Sequence, residues 1–442
     1  MTAIEVFGAY ADVFRATPLS DEVIHHAKRA VVDWYASLFP GLATEPVRLL
    51  ETTLIDDLDR GAARLAFGRS ATTRTAALIN GAAAHAAEVD DSFRDAMYHP
   101  GAATIATALA VAQETEASGL EFLRAVVLGY EISTRIGVVM GRPHYTYWHS
   151  TGTVGTFGAA SAAAYLYGLD SRAFAHALAT AATFAAGLQQ AFRMDSMSKP
   201  LHPGRAAEGG VLSAQLAARG VTGSLDVLDG ESGLGQAMSD GPDWSAVGAT
   251  LGHDFHVTRL TFKNHIGCGH TFAAIDGALA LQRETGLHAD RIARVRVGTY
   301  RPALDIACYQ NPTTVNEARF SLKYVVATAL VHGSVRLAAY MPARLDDPAT
   351  RALMARIEVA VDPELDAAFP GKRAARIEFE TDTGERFSYL QPNRKGDPEA
   401  PLSDAELDDK MLELAMPVIG DGAARALLER LRVLDTLAAL DW

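Results

Sequence analysis

The sequence predicts a mainly α protein, a large all-helical domain with a smaller α+β lid domain. Three observations predict this. From Asp21 to about Gly241, Ala-rich segments with helical spacing follow one another, separated by Gly, Pro, Ser and Asp. After about Phe262 the period changes to the apolar-polar alternation of half-buried strands. The length, 442 residues, accommodates two or three domains with sizeable cores.

In the first region, Glu22 to Leu38 reads as a helix capped by Ser20 and ended near Pro40-Gly41. Ala102 to Glu116 follows Pro100-Gly101, and Gly119 to Val139 is the next helix. Small residues crowd Gly155 to Tyr167 and Ala206 to Arg219, which lets helices approach closely. Ala173 to Phe192 is twenty residues without Asp, Glu, Lys or Arg. Its Ala-rich composition, with His176, Gln189 and Gln190, reads as a buried helix rather than a membrane span.

In the second region, Ile292 to Tyr300 alternates as a strand does, and Ile357 to Val361 and Arg376 to Phe379 look similar. Thr381-Asp-Thr-Gly384 before Arg386 to Leu390 reads as a hairpin, and Phe320 to His332 as a helix. After the link Gln391 to Pro401, Ser403-Asp-Ala-Glu406 has the form of a capping box and opens a helical tail that is expected to rejoin the first domain. The expected domains are thus 1–261 with 400–442, and 262–399. No internal repeat is visible.

The balance of 53 acidic against 40 basic side chains, a net charge of −13, argues against nucleic-acid and anionic-membrane partners, which need a basic footprint. Cys268 and Cys308 are too few for a disulfide framework, a Cys₄ zinc site or a cysteine-ligated iron-sulfur cluster. With no signal-peptide pattern in Met1 to Phe14, a cytoplasmic setting is expected. Nucleotide-binding glycine motifs and Gly-x-Ser-x-Gly are missing.

Five stretches concentrate residues that helix packing does not require. Asn80 to Gly101 contains Glu88, Asp90, Asp91, Ser92 and His99, and three carboxylates so close together repel unless they face water, cap a helix or serve a site. His144-Tyr145 and Trp148-His149 precede a Gly/Thr-rich helix entry. Ser198 to Ala207 sets Lys199, His202 and Arg205 around two prolines, a cationic cluster suited to carboxylates. Phe262 to His270 holds Lys263 and Cys268 without a recognised metal spacing, so no metal is expected there. Arg319 to Tyr324 puts a Tyr on a helix.

Together these stretches resemble the MmgE/PrpD superfamily, which includes 2-methylcitrate dehydratase, cis-aconitate decarboxylase and iminodisuccinate epimerase. The likeness rests on NGAAAHAAEVDDS at 80–92, WHSTGTVGTFGAA at 148–160, MSKPLHPGRAAEGG at 197–210, CGHTFAAID at 268–276 and FSLKYVVATAL at 320–330. The resemblance implies a helical domain, a lid, a cleft between them, a homodimer, and no metal or organic cofactor. It also implies active-site positions at His99, His149, Lys199, Lys263, Cys268 and Tyr324. Glu88 stands where the family commonly has Asp, and Cys268 where the animal decarboxylases carry His.

The chemistry shared by such enzymes makes or consumes a carbanion beside a carboxylate, which requires a base, cations and exclusion of water. His99, His149 and Lys199 are the expected proton-transfer groups, with Tyr145 as a second acid. Glu88, Asp91, Ser92, His202, Arg205, Lys263, Cys268 and Tyr324 are expected to bind a small polycarboxylate. The leading expectation is a dehydratase-type lyase. The alternatives are an epimerase of a dicarboxylate such as iminodisuccinate, a cis-aconitate-type decarboxylase, and a silent binding protein.

Overall fold

A computed structural model describes residues 1–66, 68–192, 196–369 and 371–442, which form two compact units, Met1–Thr261 with Ser403–Trp442, and Phe262–Leu402. The protein is mainly helical, with small sheets.

The first unit is built around the helix Ser150–Leu166. Its sequence has no charged side chain, and every residue from Ser150 to Tyr165 is buried. A helix apolar on all sides has to be enclosed by others, and here Pro100–Glu114, Gly119–Tyr147, Ser171–Phe184 and Leu201–Ala218 enclose it. Small residues make the close approach possible. A Cβ added at Gly210 would overlap Ala159 and lie 2.6 Å from the Ala160 nitrogen.

Four local expectations need correction. The helix Asp21–Leu42 begins where Ser20 accepts the Val23 N–H, but it continues through Pro40 to Leu42. A proline so near the C-terminal end disturbs only the last turn. The charge-free stretch 173–192 is not one helix, because Ser171–Phe184 ends at Ala185, which is extended, and Gly187 takes a φ of 131°. The first unit is also not entirely helical: β1 (Leu58–Arg64) and β2 (Ser70–Ala71) form an antiparallel ribbon. β1 buries only its second-last residue and its first, so it lacks the alternation that marks a strand in sequence.

The helix Gly119–Tyr147 outruns its expected end at Val139 because helical hydrogen bonding resumes beyond Gly141, whose φ of 61° bends it. The helix Asp404–Ile419 forms the Ser403/Glu406 capping box and packs against Asp21–Leu42. Among the described residues, no helix is long and apolar enough to cross a membrane.

The second unit carries a four-stranded sheet of order β4-β3-β5-β6, made of β3 (Ile292–Thr299), β4 (Ile357–Val361), β5 (Ala375–Thr381) and β6 (Arg386–Gln391). β3 is parallel to β4 and antiparallel to β5, and β5 is antiparallel to β6, with Val297 opposite Ile377 and Ile377 opposite Tyr389. The helix Phe272–Thr285 covers β5 and β6, and Leu322–His332 packs on that helix and on β4.

Candidate active site

The site of the first unit starts at the end of the helix Thr73–Ala86, which carries His85 in its last turn. The chain then reverses through Glu88, whose φ of 61° is left-handed, a conformation a non-glycine residue holds only when its surroundings enforce it. Three consecutive residues supply that enforcement. The Glu88 carboxylate pairs with Lys199. The Val89 carbonyl accepts a hydrogen bond from Lys410 Nζ at 2.9 Å, and Lys410 in turn lies 2.5 Å from Asp33, both side chains being 0% exposed. Asp90 Oδ2 lies 2.7 Å from His85 Nδ1 and 3.5 Å from His99 Nδ1.

Asp91, an expected substrate-binding residue, is held by neighbours in its own unit. It is buried, and its carboxylate accepts the Gly101 N–H at 3.0 Å and the Tyr130 hydroxyl at 2.7 Å. It thereby satisfies an orphan donor in the first turn of the helix Pro100–Glu114. Burial, helped by the nearby Asp33 charge, pushes its carboxyl up to about 8. Its backbone carbonyl accepts from His99 Nδ1 at 2.6 Å. With Nδ1 assigned as the donor by that partner, neutral His99 keeps its lone pair on Nε2.

His149 precedes the central helix, its backbone N–H held by the Gly187 carbonyl at 2.9 Å. Its ring centroid lies 5.4 Å from that of His85 and 5.2 Å from that of His202, and the two Nδ1 atoms of His149 and His202 are 3.0 Å apart. His85 and His99 are 5.1 Å apart. Four imidazoles from four segments therefore adjoin one another. Burial first, then the charges of His85, Lys199, His99 and His202, hold His149 well below the ordinary histidine range. Burial, then His85 and Lys199, lower His202 to about 4. Both are neutral at pH 7. Lys199 stands over the Phe192 ring at 4.7 Å, and Phe192 meets His149 edge-on at 4.8 Å.

Arg205 is exposed and pairs with Glu208 one turn along its own helix, so its guanidinium is engaged at the surface. Ser92 is half-buried and its backbone pairs with Thr261. Tyr145 is half-buried near the end of the helix Gly119–Tyr147. In the second unit Lys263 is half-buried. Cys268 is buried, with its backbone N–H on the Arg319 carbonyl, and burial raises its thiol. Tyr324, expected at the substrate, is fully buried and its hydroxyl donates to the Ala339 carbonyl.

Sequence reasoning missed His85, because an isolated His in an Ala-rich helix reads as packing. The signal available was Asp90, five residues on, which can only reach back to His85 once the chain turns at Glu88. His85 is fully buried, and its Nε2 lacks a hydrogen-bond partner among the described residues. As a set, the residues offer neutral imidazoles, a paired lysine and carboxylates, which can move protons and meet an anion. His85, Asp90 and His99 also bring potential metal-ligating atoms within 4.8 Å of one another.

The chain matches the MmgE/PrpD N-terminal domain over residues 5–247 and the MmgE/PrpD C-terminal domain over residues 265–436. It belongs to the MmgE/PrpD family. Among relatives in this family, a cis-aconitate decarboxylase-like protein of Aspergillus oryzae is 30% identical over 385 residues, 80% of this chain and 78% of that protein. Human cis-aconitate decarboxylase is 26% identical over 433 residues, 95% of this chain and 89% of the relative. The Aspergillus terreus enzyme of the same name is 23% identical over 448 residues, 95% and 90% of the two chains. Family membership and these relatives support a decarboxylase- or dehydratase-type role.

Proposed function

We propose that the protein is a lyase that uses its own side chains to break a C–O or C–C bond beside a carboxylate of a small di- or tricarboxylate. The observation that carries this reading is the neutral pair His149 and His202 beside the Lys199 cation. An imidazole kept neutral at pH 7 is available as a base, and an ammonium nearby stabilises the enolate that forms when the proton leaves. Glu88 holds Lys199 in the meantime, and a substrate carboxylate would compete for the same cation.

Dehydration needs both a base for the C–H proton and an acid at the departing hydroxyl. Decarboxylation needs no base, because loss of CO₂ itself generates the carbanion, which then takes a proton. The neutral histidines favour dehydration, and the names of the relatives favour decarboxylation of cis-aconitate. The test is proton NMR in D₂O with cis-aconitate, 2-methylcitrate, citrate and iminodisuccinate supplied separately. A new alkene from a hydroxy acid supports dehydration, and loss of one carboxyl group from cis-aconitate supports decarboxylation. Deuterium entering recovered iminodisuccinate with no new alkene would replace both with epimerisation, and no change in any substrate would overturn the lyase reading.

A further inference from the structure

We propose that the histidine cluster of the first unit also captures a borderline-soft divalent metal ion such as Zn²⁺, as an inhibitor that shuts the site. The donors are His85 Nδ1, Asp90 Oδ2 and His99 Nδ1, with the Asp91 carbonyl as a fourth. A tetrahedral zinc ion with bonds of about 2.0–2.1 Å sets its ligand atoms about 3.4 Å apart. The separations here bracket that value, at 2.7 Å for His85 to Asp90 and 3.5 Å for His99 to Asp90, and the Asp91 carbonyl lies 2.6 Å from His99 Nδ1. The three side chains keep these atoms within 4.8 Å of one another.

The set is built rather than accidental. His85 and Asp90 are buried, and the turn that bears Asp90 is fastened at the two residues before it, by Lys199 on Glu88 and by Lys410 on Val89. Two imidazoles and a carboxylate are the donor types that zinc prefers over magnesium or calcium. The ion would replace the Nδ1 protons that now serve Asp90 and the Asp91 carbonyl, releasing them to solvent, so metal and protons compete. Lys199, which flanks the cluster through Glu88, already has its charge met by that carboxylate. A captured ion would cross-link the end of the helix Thr73–Ala86 to the start of Pro100–Glu114 and take His99 out of proton transfer.

The test needs no substrate, so it can fail independently of the lyase reading. The full-length protein, stripped with a chelator, is titrated with Zn²⁺ against a chromophoric zinc indicator. The expected result is one equivalent bound, with affinity reduced at least tenfold in Asp90→Asn and in His85→Gln. In wild-type protein labelled with ¹⁵N-histidine, zinc should shift ring signals of His85 and His99 and leave the exposed His25 unmoved, a readout that does not depend on either variant folding. Binding that is undiminished in both folded variants, or zinc that shifts His25 while His85 and His99 stay fixed, overturns the proposal.

Discussion

Lys410→Met tests the buried anchor of the acidic turn. The change keeps most of the aliphatic stem but deletes the ammonium that lies 2.5 Å from Asp33 Oδ1 and 2.9 Å from the Val89 carbonyl. Lys410 and Asp33 are both fully enclosed, so water cannot replace the deleted ammonium beside the buried carboxylate. Removing one partner of such a pair costs about 3–5 kcal/mol. Adding Asp33→Asn removes the buried negative charge and should recover most of the loss, leaving about 1 kcal/mol for the hydrogen bond to Val89. All four tryptophans, Trp34, Trp148, Trp244 and Trp442, belong to the first unit, so urea unfolding followed by tryptophan fluorescence reports on that unit alone. The reasoning fails if Lys410→Met stays within about 1 kcal/mol of wild type, or if the double variant loses the sum of the two single losses.

Other outcomes follow from the same geometry. Because His149 and His202 are held low, kcat/KM should not drop as pH falls through 6.5, and an acid limb there in the pH profile would contradict the neutral pair. The folded state resists protons that the unfolded histidines accept below about 6.5, so stability should decline from there toward pH 4, with a shallower decline in His202→Gln when unfolding is measured across that range. Asp91 has the opposite sign. Its folded carboxyl is raised to about 8, so stability falls as pH rises from about 4 to 8, by at most about 1.4 kcal/mol per unit, and Asp91→Asn should flatten that slope in urea midpoints taken at pH 5 and 8. Gly210→Ala forces a methyl group into Ala159 and should destabilise by about 1–3 kcal/mol or more, and an unchanged thermal midpoint would show that the helices separate freely.

Much of the fold was legible because local chemistry decides it. Ser20 and Ser403 cap their helices as their sequences announce, and Ile292 to Thr299 alternates because one face of β3 is covered. The ribbon of β1 and β2 was not legible, since Leu58–Arg64 carries no alternation, and the break at Ala185 is marked in the sequence by Gly187 alone, within an otherwise Ala-rich run. At the site, His99, His149, Lys199 and His202 are brought together as a group, but their partners depend on tertiary reach. Glu88 meets a lysine 111 positions away, and Asp91 meets the Tyr130 hydroxyl 39 positions on. The bond from the Tyr324 hydroxyl to the Ala339 carbonyl is likewise visible only in the folded chain.

The bond from Lys410 to Val89 also has a consequence in time. The two residues are 321 positions apart, so at about 5–20 residues per second roughly 16–64 s of synthesis separate them. Throughout that interval Asp33 and the turn have been made, but the cation that settles both has not. The whole of Phe262–Leu402 is translated in between. The unit begun first is therefore the last to be finished, and a nascent chain that has already shaped its second unit still lacks a set acidic turn until Lys410 leaves the ribosome.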